Sequence, residues 1–218
     1  MNALTNSGLL VEDRLFATLD STTRLLEEDS RPKVLLSDTV GFISNLTHEV
    51  IAAFRSTLAT VRDADLLLQV IDADDNIEEH LQTTSEVLED LDAACIPIIK
   101  VFNKIDRISP TRLLILEKSF PEALFGSCEN GGNNGLEKNS TFVEQLRKHI
   151  LLFFNKRMKK MTISLDYQHS HKLANIYELS RVDNIDYQEE GILITLAAIP
   201  DNLERLRHHL GSDYTEMR

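Results

Sequence analysis

Cysteine is scarce in this chain of 218 residues, with only Cys95 and Cys128 present. They lie far apart and neither sits in a metal-ligand pattern, so a disulfide scaffold is excluded. A reducing compartment is expected, with the cytoplasm as the location. No apolar run approaches membrane-spanning length, and the first residues lack a signal-peptide profile. Positive charge is also short. Lys and Arg number 23 against 35 Asp and Glu, a formal net charge of −12, which argues against a general nucleic-acid binder and against sequence-specific DNA binding. No glycine-rich dinucleotide fingerprint follows a strand-like run, which makes a dinucleotide-binding oxidoreductase remote. What is present is 42% hydrophobic residues, enough to bury a real core as one large domain or two smaller ones.

The apolar pattern alternates strands and helices. Residues near 24–28 and 33–37 read as two strands joined by a polar turn at Glu28-Asp29-Ser30-Arg31-Pro32. His48 to Arg62 has helical spacing, with Val50, Phe54, Leu58 and Val61 on one stripe. Asp65 to Asp72 is a continuous apolar run, the mark of a strand covered on both faces. Asn76 to Leu91 is an acidic amphipathic helix, Ile96 to Phe102 a strand, residues near 111–118 a short helix, and Glu122 to Phe125 a last strand. Thr141 to Phe154 completes the series as a helix. This order predicts an α/β fold, a doubly wound sheet with right-handed crossovers. Residues 126–135, rich in Gly and Asn, read as a loop.

Beyond residue 160 the texture changes. Met161 to Leu165 reads as a strand, His169 to Ser180 as a helix, residues near 181–188 and 191–198 as a hairpin, and a last helix begins near Pro200. The expected division is therefore 1–157 and a small α+β module over 158–218. Its histidines (His169, His171, His208, His209) read as exposed helix-face residues rather than a metal cluster. Lys156-Arg157-Met158-Lys159-Lys160 is either a small anionic contact or a solvated junction between domains.

Two short patterns carry chemistry. Asn103-Lys104-Ile105-Asp106 closes the run before it, at the carboxyl end of a buried strand, where open α/β sheets bind ligands. Guanine offers N1–H and an exocyclic amino group side by side, and one carboxylate can accept both. Asp106 is of that type. Asn103 can hold the neighbouring loop and the acceptor edge of the base, and the Lys104 stem can lie over the ring. In the loop that follows the last strand, Ser127 and the Cys128 N–H are placed to meet the guanine carbonyl, or else belong to a plain surface loop. The second pattern is Asp38-Thr39-Val40-Gly41 after the run Val34 to Ser37. A carboxylate there can reach Mg²⁺, and a Gly N–H can approach a γ-phosphate because no Cβ intervenes.

Several longer strings add to these. Residues 15–24 (Leu15 to Arg24) resemble the switch I region of the HflX-type GTPases, translation-factor-class P-loop GTPases related to Obg. Asp38 to Ile43 is similar to their switch II, Ala52 to Leu58 to the helix after it, and Ala64 to Leu68 with Asn103 to Asp106 extends the match. The resemblance is colinear from residue 2 to about 110, weaker through 126–135, and architectural beyond 160. It implies GTP or GDP with Mg²⁺ as ligands. Thr18 and Asp38 fall on the metal side, and Gly41 on the γ-phosphate. Asn103, Lys104 and Asp106 fall on guanine, with Ser127 and Cys128 closing the base pocket. Phe42 stands where many small GTPases carry a water-orienting glutamine, which implies slow intrinsic hydrolysis accelerated by a partner. The family's implied partner is the large ribosomal subunit, with roles in splitting or rescuing stalled ribosomes.

One departure is as large as the match. No G-x-x-x-x-G-K-[ST] occurs anywhere in the 218 residues. Met1 to Thr5 resembles the end of the helix that follows that loop, so the loop and the central strand leading into it are expected before Met1. The chain alone is then expected to lack appreciable GTPase activity. The alternative is a non-catalytic fragment that binds ribosomes independently of nucleotide.

Overall fold

Two apolar runs, each ending in a polar residue, become adjacent parallel strands and set the frame of the molecule. The computed structural model describes residues 2–5, 22–27, 29–31, 33–39, 60–128 and 136–217. β3 (Leu67–Asp72) pairs in parallel with β4 (Ile98–Asn103) from Leu67 opposite Ile98 to Asp72 opposite Asn103. β5 (Leu124–Phe125) lies on the other side of β4, also parallel, giving the order β3-β4-β5. The crossovers are α2 (Ile77–Asp90) and α3 (Pro110–Ser119). This is the α/β alternation expected from the sequence, since parallel neighbours need a long connection and a helix supplies it.

The core lies against one face of this sheet. Ile71, Ala73, Ile77, Phe102 and Leu116 are buried together, with Phe120, Phe125 and Ile105 packed around them. Phe102 is fully buried, its ring stacked on Phe125 at 5.0 Å and tilted against Phe120 at 5.0 Å. A second cluster joins Val61, Val87, Leu88, Leu91 and Ala93. The opposite face is not covered throughout, as a strand buried on both sides requires. Val70 is 62% exposed, although its register partner Val101 is 2% exposed. The reason is position: among the described residues β3 pairs only with β4, so it is an edge strand.

The strands near 24–28 and 33–37 form at Thr22–Leu25 (β1) and Leu35–Asp38 (β2). Thr23 Oγ1 meets Ser37 Oγ at 2.7 Å and the Leu26 N–H donates to Val34 O at 2.9 Å, contacts that run in antiparallel order. Among the described residues these two strands make their own two-stranded sheet, separate from β3-β4-β5. α1 spans Asn2–Thr5. Of the helix expected over His48 to Arg62, residues 60–62 are helical and the rest lies outside the described residues. The helix expected over 141–154 extends from Leu136 to Arg157 (α4).

The chain forms two compact units, Met1–Arg24 with Leu36–Leu146, and Leu25–Leu35 with Arg147–Arg218. The second has a four-stranded antiparallel sheet in the order β7-β8-β6-β9, from β6 (Lys159–Leu165), β7 (Arg181–Gln188), β8 (Gly191–Ala198) and β9 (Tyr214–Met217). Ile163, Leu165, Ile192, Ile194 and Leu196 alternate onto one face and pack on Ile176 of α5 (Leu173–Leu179) and Leu206 and Leu210 of α6 (Pro200–Leu210). The segment 25–35 belongs to this unit, and Arg31 Nε donates to Tyr177 O at 3.1 Å. Two details differ from the sequence reading. The helix expected from His169 divides into a 3-10 stretch (Tyr167–Lys172) and α5, because the apolar spacing begins only at Leu173. β9 was not anticipated, being four residues with no apolar alternation.

Candidate nucleotide-base site

The parallel register brings the carboxyl ends of β3, β4 and β5 to one edge of the sheet, and the candidate residues sit there. Asn103 is the last residue of β4, and Lys104 follows in the left-handed conformation, φ 60°, ψ 34°. A single 3-10 turn, Ile105–Arg107, then turns the chain away and carries Asp106 on its exposed side. Its carboxylate has no hydrogen-bond or ion-pair partner among the described residues. An acceptor pair left free at the ligand end of a parallel sheet is what recognition of two adjacent N–H donors requires.

The loop after β5 is held against this turn by three bonds. Gly126 N–H donates to Phe102 O at 3.0 Å, Ile105 N–H donates to Gly126 O at 3.4 Å, and Cys128 N–H donates to Asn103 Oδ1 at 3.1 Å. Asn103 therefore does hold the neighbouring loop. The same bond engages the Cys128 N–H, so a guanine carbonyl would share that donor with Asn103, while Ser127 keeps the role expected of it. Although Cys128 is exposed by surface area, the protein packed around its thiol pushes the pKa above its ordinary value. Gly126 is required by space. A Cβ there would stand 2.1 Å from Phe142 Cγ, inside the ring of a buried side chain.

Sequence reasoning missed Asp72. Its Oδ2 pairs with Lys104 Nζ at 2.8 Å and its Oδ1 accepts the Asp74 N–H at 3.1 Å. Burial raises its pKa, but the Lys104 bond, the Asp74 N–H and the charges of Lys104 and Arg107 outweigh that and hold the carboxyl below its ordinary value. The signal that could have found it is its place at the end of the strand beside β4. Arg112 also escaped notice. Its Nε donates to Ala73 O at 3.2 Å and its Nη2 to Asp75 O at 3.0 Å, tying α3 to the loop after β3.

The phosphate side is described in part. Asp38 closes β2, half-buried, with no partner among the described residues. Thr18, Gly41 and Phe42 lie outside the described residues. Among the described residues no group of three or more His, Cys, Asp or Glu could hold a metal ion. Likewise, among the described residues no helix is long and apolar enough to cross a membrane.

A parallel α/β sheet with an N-K-x-D turn at its carboxyl edge defines a GTPase-type domain, and the family described as 50S ribosome-binding GTPase matches residues 1–104. GTPase HflX of Gluconacetobacter diazotrophicus is 40% identical over 213 residues, covering 97% of this chain and 45% of that protein. GTPase HflX of Spirochaeta thermophila is 39% identical over 198 residues, covering 89% and 45%. GTPase HflX of Escherichia coli is 31% identical over 202 residues, covering 91% and 45%. The chain belongs to the HflX-type GTPase family. It spans a little under half the length of these relatives.

Proposed function

We propose that the chain is the base-reading portion of a GTPase that couples GTP hydrolysis to large-subunit binding in the cytoplasm, in ribosome splitting or rescue. The Asp106 carboxylate, without a partner among the described residues, carries this reading. It stands at the carboxyl end of β4 beside a loop that Asn103 and Gly126 hold in place. Asp106 accepts from N1–H and the amino group of guanine, Lys104 covers the ring, and Ser127 meets the base carbonyl. Thr18 and Asp38 would hold Mg²⁺, which would supply charge neutralisation at the phosphates, and Gly41 would contact the γ-phosphate. On this reading residues 1–157 are the GTPase portion and 158–218 an appended α+β domain, although 25–35 and 147–157 pack within the second compact unit. The change from parallel to antiparallel pairing at β6 supports that division.

The 218 residues alone are inactive on this reading, because no phosphate-cradling pattern occurs in them. The isolation of β1-β2 from β3-β4-β5 and the unpaired edge of β3 among the described residues support a missing central strand. The absent pattern also favours a second reading, a fragment that binds ribosomes without nucleotide. Co-sedimentation of the pure chain with large subunits in the absence of GTP would favour it.

The test of the base-reading site is a change of partner. Asp106→Asn in the full-length gene product replaces two acceptors by one acceptor and one donor, which suits the 2-oxo group of xanthine. GTP binding is expected to fall and XTP binding to rise, reversing the preference. A variant that keeps GTP as its favoured ligand would overturn the assignment.

A further inference from the structure

We infer that Asp72 is the positioning residue of the base-reading turn: by holding the Lys104 ammonium it fixes the left-handed backbone from which Asn103 and Asp106 are presented. The inference rests on the guanine reading above and extends it to a residue outside the N-K-x-D pattern. Three observations carry it. First, Lys104 has φ 60°, a conformation that a residue with a Cβ adopts at a cost and keeps only where its surroundings enforce it. Second, the bonds around that position come from both neighbouring strand ends. Asn103 Oδ1 and Gly126 O hold it on the β5 side, and Arg107 N–H donates to Lys104 O at 3.0 Å within the turn. On the β3 side the Ala73 N–H donates to Asn103 O at 2.9 Å, and the Asp72 carboxylate ties to the Lys104 ammonium at 2.8 Å.

Third, Asp72 is itself held from behind. One carboxylate oxygen is on the Asp74 N–H and the other on Lys104 Nζ, so its plane is set by two different directions. The loop that carries it is pinned by Arg112 at both Ala73 O and Asp75 O. Arg112 in turn lies in the first turn of α3, whose cap Ser109 Oγ accepts the Arg112 N–H at 3.3 Å. A rigid support thus stops at Asp72, and the flexible four-carbon stem of Lys104 ends on it. The pair is partly exposed, with side chains 33% and 29% accessible, so its effect on overall stability is small. Its effect on where the turn sits is larger, because a site needs its supporting shell to hold the first contacts to a fraction of an ångström.

The experiment uses the full-length gene product with Asp72→Asn and Asp72→Glu. Affinities are measured for GDP, for IDP (which lacks the exocyclic amino group) and for inorganic tripolyphosphate as a probe of the phosphate side. D72N is expected to weaken GDP binding about tenfold, the loss of one charge-assisted contact transmitted in part. It is also expected to narrow the preference for GDP over IDP, to leave tripolyphosphate unchanged, and to shift the melting temperature little. D72E, which keeps the charge, is expected to restore most of the loss. Equal weakening of all three ligands without rescue by D72E would mean a merely structural role and overturn the inference. So would unchanged GDP binding in D72N while the wild type still prefers GDP to IDP. A wild type that shows no such preference would overturn the guanine reading, and this inference with it. Should D72N fail to fold, D72E decides alone, since native GDP preference in it supports charge-based positioning and loss of that preference in a folded D72E overturns it.

Discussion

Gly126 and Asp72 are where the candidate site depends on single atoms. Gly126 joins β5 to the base-side loop while its backbone bonds both Phe102 and Ile105, and the Phe142 ring occupies the space a side chain would take. Gly126→Ala forces that buried ring or the loop to move. Overpacking of this kind costs about 1–3 kcal/mol, and we expect a lowered urea midpoint together with weaker guanine-nucleotide binding in the full-length protein. An unchanged midpoint would mean that the ring can swing aside freely. The N-K-x-D residues themselves could be found from sequence because their spacing is local. For Asp72 the sequence offered only its place at the end of a neighbouring strand, and its pairing with Lys104 on another strand end had no local mark.

Among the elements, the strands and helices of the parallel sheet fell close to their expected limits, because each is an apolar run bounded by polar or turn residues. The 3-10 stretch and β9 did not, and one tertiary contact links them. Lys172, at the end of the 3-10 stretch, donates to Leu210 O at 2.8 Å at the end of α6 and also pairs with Asp213, just before β9. Asp213 Oδ2 stands 3.8 Å from His169 Nε2 as well. The Lys172 hydrogen bond holds the Asp213 carboxyl below its ordinary pKa; burial opposes this, and the charges of His169 and Lys172 add to it. A carboxyl depressed on folding stabilises the fold fully above its unfolded pKa, and that contribution is lost as pH falls through the folded value. The thermal midpoint of wild type should therefore exceed that of Asp213→Asn near neutral pH. The gap should close on acidification below the ordinary carboxylate range, as followed by circular dichroism. A gap that stays constant with pH would mean the pair contributes nothing through its charge.

For the molecule entire, the decisive expectation concerns the phosphate end. The loop that supplies most hydrogen bonds to a triphosphate has no counterpart in these 218 residues, and each charge-assisted bond of that kind contributes about 1.5–3 kcal/mol. The pure 218-residue chain is thus expected to release no phosphate from GTP above background. Release that Asp38→Ala abolishes would refute this.

Sequence by itself determined the family, the alternation of strands and helices, and the identity of Asn103, Lys104 and Asp106 as the candidate base readers. Those properties reside in runs of adjacent residues whose apolar period and turn chemistry act locally. Only the tertiary structure decided that Cys128 N–H serves Asn103 across 25 residues, that Phe142 closes over Gly126, and that Asp72 anchors Lys104. Such contacts follow from which strand ends become neighbours, and that is settled by burial of the whole sheet rather than by any short segment.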